Sequence, residues 1–130
     1  MIASAAASRL PLATGRPALD DGRQQIGYDE LAARIEEEGD WLAAHGARFA
    51  LLADNGAGWA IADLALHARG LPCVPLPGFF TAAQLTHALD DAGIDCVVGD
   101  DPRRLRELLA GWRGGGRSGR SGLARYRRRL

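Results

Sequence analysis

Lysine is absent from this 130-residue sequence, and all sixteen basic residues are arginines. A Gly-x-x-x-x-Gly-Lys phosphate loop, which needs an ammonium group to reach the β- and γ-phosphates, is therefore excluded. Cysteine is nearly absent: Cys73 and Cys96 have neither a Cys-x-x-Cys pair nor a histidine cluster beside them. That argues against a zinc site or a disulfide framework and for buried, reduced thiols. The three histidines, His45, His67 and His87, stand on or near different helical segments. None has the spacing that metal ligation or a nucleophile–base pair requires, so all three read as surface or internally satisfied side chains. Long apolar runs are missing as well. Nothing approaches the roughly 20 residues of a membrane helix, and no membrane association is expected. Met1 to Ser8 are mostly small and apolar but lack the basic start and long apolar centre of a secretory signal, so the expected compartment is the cytoplasm.

What remains is the composition of one soluble domain, with 47% hydrophobic residues. A chain of this length can bury roughly two-thirds of its extended surface around one modest core. The formal net charge of zero conceals a division. Arg113 to Leu130 holds seven arginines and no acid, whereas Met1 to Trp112 holds nine arginines against sixteen acids, so the body carries 9 − 16 = −7 and the tail +7.

Residues 1–16 are Ala/Ser-rich without periodicity and are expected to be flexible. Pro17 to Leu19 and Gln25-Ile26 flank Asp20-Asp21-Gly22-Arg23, whose Asp-Gly step suits a tight β-hairpin turn. Gly27 then serves as N-cap of a helix with Asp29 and Glu30 near its positive end. Leu31, Ile35 and Leu42 form its apolar stripe, and Gly46 is expected to end it in the left-handed conformation. Phe49 to Ala53 reads as a strand buried on both faces. Asp54 and Asn55 are expected to cap a helix that runs from Trp59 through Ile61, Leu64, Ala65 and Ala68, and Gly70 stops it. Pro72 to Leu76 forms a second strand, Thr81-Ala82-Ala83-Gln84 a capping box, and Ile94 to Val98 a third strand. Asp101-Pro102 then opens a last helix whose Leu105, Leu108 and Leu109 face inward. The alternation predicts an α/β fold: a partial doubly wound parallel sheet of three βα units, preceded by a small β-hairpin and a helix. Both sheet edges would need cover. Beyond Trp112 the sequence becomes Gly-, Ser- and Arg-rich, and residues 113–130 are expected to form a disordered tail.

Few constellations carry chemistry. Gly56-Ala57-Gly58 follows a strand and opens a helix, as the first two glycines of a dinucleotide fingerprint would. The third glycine position is Ile61, and no acid ends the next strand, so helix entry and close packing are the better reading. Asp54 sits at the carboxyl end of a parallel strand, where α/β proteins place ligands, but its position before a helix favours capping. Asp90-Asp91 and Asp100-Asp101 read as turn and cap residues, and Trp59 and Phe79-Phe80 as core. No catalytic, cofactor-binding or metal-ligating residue is assigned.

The order of these segments resembles the N-terminal part of the adenylate-forming superfamily of acyl-CoA synthetases, aryl-acid ligases and peptide-synthetase adenylation domains. Gly27-Tyr28-Asp29-Glu30-Leu31 resembles that family's Thr-Tyr-x-Glu-Leu segment, and Asn55-Gly56-Ala57-Gly58-Trp59 its Asn-Ser-x-Glu-Trp helix entry. Gly70-Leu71-Pro72-Cys73-Val74-Pro75-Leu76 is similar to its Gly-Ala-x-x-Val-Pro-Leu strand, and Gln84 to Asp100 to the stretch that follows. The resemblance runs from about Pro17 to Asp101 and marks residues 17–112 as the N-terminal part of an AMP-binding domain. It implies a family chemistry that uses ATP, magnesium and CoA to activate a carboxylate, with none of these held by this chain. The Ser/Thr/Gly-rich phosphate loop and its lysine, the segments that hold adenine and ribose, and the catalytic lysine of the C-terminal lid have no counterpart here. Phe79-Phe80 and the lack of an aspartate after Pro75-Leu76 lean toward an acyl-CoA ligase over an amino-acid-activating domain.

Within this resemblance the chain is expected to be a truncated or frameshifted N-terminal portion, inactive alone, whose partner is the remainder of such an enzyme. The alternative is a non-enzymatic α/β module whose arginine-rich tail binds nucleic acid or an acidic partner. That tail has one tyrosine and no interleaved aromatics, and the −7 body would oppose binding, so nucleic acid is not the expected partner. A third reading is a small module that docks on a partner through its open sheet edge.

Overall fold

The computed structural model describes residues 17–54, 56–117 and 121–128. The expected flexible segment 1–16 lies outside them, as does Asn55. In chain order the elements are β1 (Leu19–Asp20), β2 (Gln25–Ile26), α1 (Tyr28–Ala43), β3 (Phe49–Leu52), α2 (Ala57–Ala68) and β4 (Cys73–Pro75). Then come α3 (Ala82–Asp91), β5 (Cys96–Gly99), α4 (Pro102–Leu108), β6 (Arg113–Arg117) and β7 (Ala124–Arg127).

The β1–β2 hairpin closes for the reason its sequence gives. Asp20 accepts from the Gly22 amide at 3.0 Å, Asp21 accepts from the amides of Arg23 and Gln24 at 2.9 Å each, and Gly22 takes a φ of +84° that other residues rarely adopt. Helix α1 starts at an extended Gly27 with Asp29 and Glu30 in its first turn. It buries Leu31, Ile35, Glu38, Gly39 and Leu42, a 4-3-1-3 pattern along one face. Helix α3 carries the expected reciprocal capping box between Thr81 and Gln84, and Asp101 caps α4 ahead of Pro102.

The main sheet has the order β4-β3-β5-β7-β6. Strands β4 and β5 each pair with β3 in parallel. Side chains alternate across the sheet. Ala50, Leu52 and Val97 join Leu85, Leu89 and Leu105 from α3 and α4 in one core. Phe49, Leu51, Cys96 and Val98 join Leu42, Ala62 and Leu66 from α1 and α2 in the other. Helices on both faces and three parallel strands make this the expected doubly wound α/β arrangement.

Three local expectations change. Gly46 is not left-handed; an added Cβ there would lie 2.6 Å from Cys96 Cβ and 3.0 Å from the Phe49 ring, so close packing is what requires glycine. Asp54 does not cap α2, whose N-cap is Gly56 with no side-chain hydrogen bond. The largest change is at the C-terminus. Instead of a disordered tail, residues 113–117 and 124–127 form an antiparallel hairpin added to the sheet, with β7 pairing β5 from Cys96↔Arg127 to Gly99↔Ala124. Composition alone counts Gly and Arg against order. It does not count the open edge of β5, a row of backbone donors and acceptors that only a strand, or water, can satisfy. Leu123, Ala124 and the stem of Arg125 are apolar enough to be buried there.

Candidate functional site

In a doubly wound sheet, ligands lie beyond the carboxyl ends of the strands where successive connections leave toward opposite faces. Here that point falls between β3 and β5. A cleft of about 380 Å³ opens there between Leu52–Asp54 at the end of β3, Asp100–Leu105 after β5, and Gly78. Asp100 accepts the Asp54 amide at 2.8 Å and so ties the two strand ends together. Asp101 is occupied as the α4 cap, accepting from the Arg104 amide at 3.1 Å. The Arg104 guanidinium donates to the carbonyls of Gly78 at 2.9 Å and Phe80 at 3.0 Å, which pins the β4–α3 loop beside the cleft. The rim is thus acidic, and its one guanidinium is engaged by backbone. No nucleophile and base face each other there, and no group of three metal-ligating side chains occurs among the described residues.

The start of α2, where a dinucleotide would place its pyrophosphate, is already filled. Asp21 reaches across from the hairpin and accepts the Ala57 amide at 2.9 Å. This bond, with those from the Gln24 and Arg23 amides, holds the Asp21 carboxyl down at about 2. Gly58 faces the chain near Ser121, whose carbonyl oxygen would lie 2.5 Å from an added Cβ. Gly58 therefore serves packing, and a side-chain anion from elsewhere in the fold neutralises the helix terminus. Asp21 has a measurable consequence. Its folded value lies below the ordinary 3.8, so its stabilising effect is complete above that pH and is lost as the pH falls toward about 2. Thermal unfolding followed from pH 6 to pH 2 should show this acid-side loss in the native chain and lack that component in Asp21→Asn.

The aromatic pair divides. Phe80 packs partly against the core, but Phe79 is 85% exposed, contrary to the expectation of a core residue. Trp59 is half-buried beside α2's inner face. His67 and His87 are exposed on their helices. His45 belongs to a polar cluster the sequence reading missed. Glu38, fully buried, accepts the Ser121 hydroxyl at 2.8 Å. Arg125, 6% exposed, lies 4.2 Å over the Trp41 ring and donates to the Trp41 carbonyl. Its Nη2 is 3.1 Å from His45 Nε2. Burial pushes the Arg125 guanidinium below its ordinary value, with Cys96 and Glu38 acting in the opposite direction. One signal was present: Glu38 falls on the same helical face as Leu31, Ile35 and Leu42.

Both thiols are free. Burial pushes Cys73 to about 11 and Cys96 to about 12, so neither is an activated nucleophile. No helix among the described residues is long and apolar enough to cross a membrane.

The AMP-binding enzyme family matches residues 8–118. No curated protein matches the sequence. Among solved structures, ATP-bound MatB from Rhodopseudomonas palustris is 25% identical with a TM-score of 0.69, over 85% of this chain and 23% of that one. The N-terminal subdomain of Klebsiella oxytoca NpsA, in complex with 3-hydroxybenzoyl-AMSN, is 26% identical with a TM-score of 0.60, over 66% of this chain and 23% of that one. The o-succinylbenzoate CoA synthetase MenE from Bacillus subtilis, in complex with AMP, shares the fold at 24% identity and a TM-score of 0.63, over 74% of this chain and 27% of that one. The present chain spans about a quarter of each of these proteins.

Proposed function

Because this chain belongs to the AMP-binding enzyme family, we propose that it supplies the N-terminal α/β scaffold of an AMP-dependent acyl-CoA synthetase or related ligase, and that it does not form an acyl-adenylate by itself. The supporting observation is the character of its ligand face. The doubly wound frame opens a cleft at the carboxyl ends of β3 and β5, yet the groups there do not fit nucleotide phosphates. Asp54, Asp100 and Asp101 make the rim acidic, Asp21 occupies the α2 terminus, and the sequence has no lysine. Phosphoryl and adenylyl chemistry depends on positioned positive charge and hydrogen-bond donors, and neither is free at this face. The ATP, magnesium and CoA used by such a ligase would be held by other polypeptide, continuous with this chain or separate, and that polypeptide is the proposed partner. The proposed compartment is the cytoplasm, in keeping with two free thiols.

Carboxylate-dependent ATP–pyrophosphate exchange on the purified 130-residue chain tests this reading. The expected rate is that of the buffer blank with any aliphatic or aromatic acid supplied; turnover clearly above the blank would end the proposal. The alternative, anion binding by an arginine tail, has less support. Arg125 is buried, and Arg128 stacks on Trp112 at 4.6 Å while donating to the Ile94 carbonyl and to Asp90.

A further inference from the structure

We propose that the face around Phe79 is a docking surface for a polypeptide segment that presents a large apolar side chain beside lysine or arginine. The inference rests on the scaffold role proposed above and gives the chemistry of its partner. Among the described residues Phe79 is the one large apolar side chain exposed to water, at 85%. A single exposed apolar residue says little by itself. Here, however, the chain is held on both sides of it. Arg104 donates to the carbonyls of Gly78 and Phe80, and the Phe80 amide donates to the Pro77 carbonyl at 3.2 Å. The Phe80 ring, packed against the core, meets the Phe79 ring edge-on at 5.5 Å. The loop is thus fixed before any partner arrives, which lowers the ordering cost of binding.

Gly78, the residue before Phe79, lines two adjoining clefts of opposite character. One is the acidic cleft at the ends of β3 and β5, with Asp54, Asp100 and Asp101. The other, of about 440 Å³, is walled by Trp59, Pro75, Leu76 and Pro77. Ala53 and Asp54 belong to both, so an apolar side chain seated against Trp59 leaves its neighbour within reach of the carboxylates. Asp54 is exposed and does not cap α2.

Charge selects the occupant. The three carboxylates repel phosphates, carboxylates, anionic lipid surfaces and nucleic acid, and attract lysine or arginine. Arg104 does not neutralise them by direct pairing, because its guanidinium is turned to backbone carbonyls. A small amine could fill one cleft but offers no pocket to Phe79, whereas a polypeptide surface supplies the enclosed seat that aromatic anchors of interfaces occupy. A second copy related by a two-fold axis would set these carboxylates against themselves. The acidic rim thereby gains a role in the scaffold: this chain has no lysine, and the rim draws in positive charge from its partner.

The test titrates capped peptides into the intact, isotope-labelled chain and reads amide NMR shifts. In one peptide leucine alternates with lysine; in its two controls glutamate replaces lysine, or serine replaces leucine. The leucine–lysine peptide is expected to shift the amides of Gly78, Phe79 and Asp100 and to leave those of α1 and β7 in place. It should bind about tenfold more tightly than either control and weaken as salt is added. Phe79→Ala should weaken it about tenfold, as loss of an aromatic anchor does, and Asp54→Asn should reduce its salt dependence. No shift at those amides, equal binding of either control, or an affinity unchanged by Phe79→Ala would each overturn the proposal. So would hexylamine binding as well as the leucine–lysine peptide, which makes the face a small-molecule cleft. Shifts of the same amides on concentrating the chain alone would make the occupant a second copy and overturn it too. The peptide comparisons need only the native chain, so they decide the matter even if a variant fails to fold. The scaffold reading fails separately: ATP–pyrophosphate exchange above the blank ends it whatever binds at Phe79, and absent peptide binding with exchange at the blank removes only the docking surface.

Discussion

Deletion of residues 113–130 is expected to make the chain self-associate through its exposed sheet edge and to lower its stability sharply. The reasoning starts at β5, whose Val97 and Val98 pair with Tyr126 and Arg125. Removing β7 leaves those backbone groups unpaired on a strand buried on both faces, the kind of edge that recruits other strands. Leu123, 3% exposed, leaves the core beside Val98, and burying one leucine is worth about 1.5–3 kcal/mol. Glu38 loses the Ser121 hydroxyl, one of the interactions of this buried carboxylate. Together these losses are a substantial share of the stability of a small domain, about 5–15 kcal/mol. Light scattering and urea denaturation of the two chains check it. A truncated chain that scatters light like the intact one, with an unchanged midpoint, would mean that the hairpin is not docked on β5.

That prediction opposes the sequence reading of the tail, and the reason shows what a sequence discloses. The helices of the body were legible because their information is local. Thr81 and Gln84 cap each other within one turn, Asp101 and Pro102 start α4, and Gly70, at φ +65°, follows α2. The strands were legible as short apolar runs, although β5 begins two residues later than Ile94. Interactions distant in sequence were not legible. Nothing near Ala57 announces that Asp21, 36 residues away, will take the α2 terminus in place of Asp54. Nothing in Arg125 announces a place between Trp41 and His45, 84 and 80 residues earlier. The cleft lay between these cases. Its position follows from the order of the βα units, but its acidic rim and its engaged Arg104 depend on how three loops meet.

Phe49 and Phe79 offer the sharpest contrast in this molecule. Phe49→Ala is expected to lower the unfolding free energy by about 3–5 kcal/mol, the usual cost of truncating a buried aromatic residue. Its side chain is fully buried in the core formed with Leu42, Ala62, Leu66 and Cys96, and the backbone at Gly46 is packed so closely against its ring that even a methyl group there would meet it at 3.0 Å. Close packing on that side limits collapse into the cavity, which places the expected cost toward the upper end of the range. Phe79→Ala removes the same atoms from a side chain that is 85% exposed, so a change within about 0.5 kcal/mol is expected. Urea midpoints at constant m-value measure both. The two results bear on function through β3: Phe49 anchors one end of the strand whose other end delivers Ala53 and Asp54 to the cleft. Phe79 stands on the loop that Arg104 holds beside the same cleft. A frame that tolerates the second substitution and fails with the first carries its ligand face on buried packing and leaves Phe79 available for contact. Equal costs would mean that the β4–α3 loop belongs to the core and that the cleft is more enclosed than its geometry indicates.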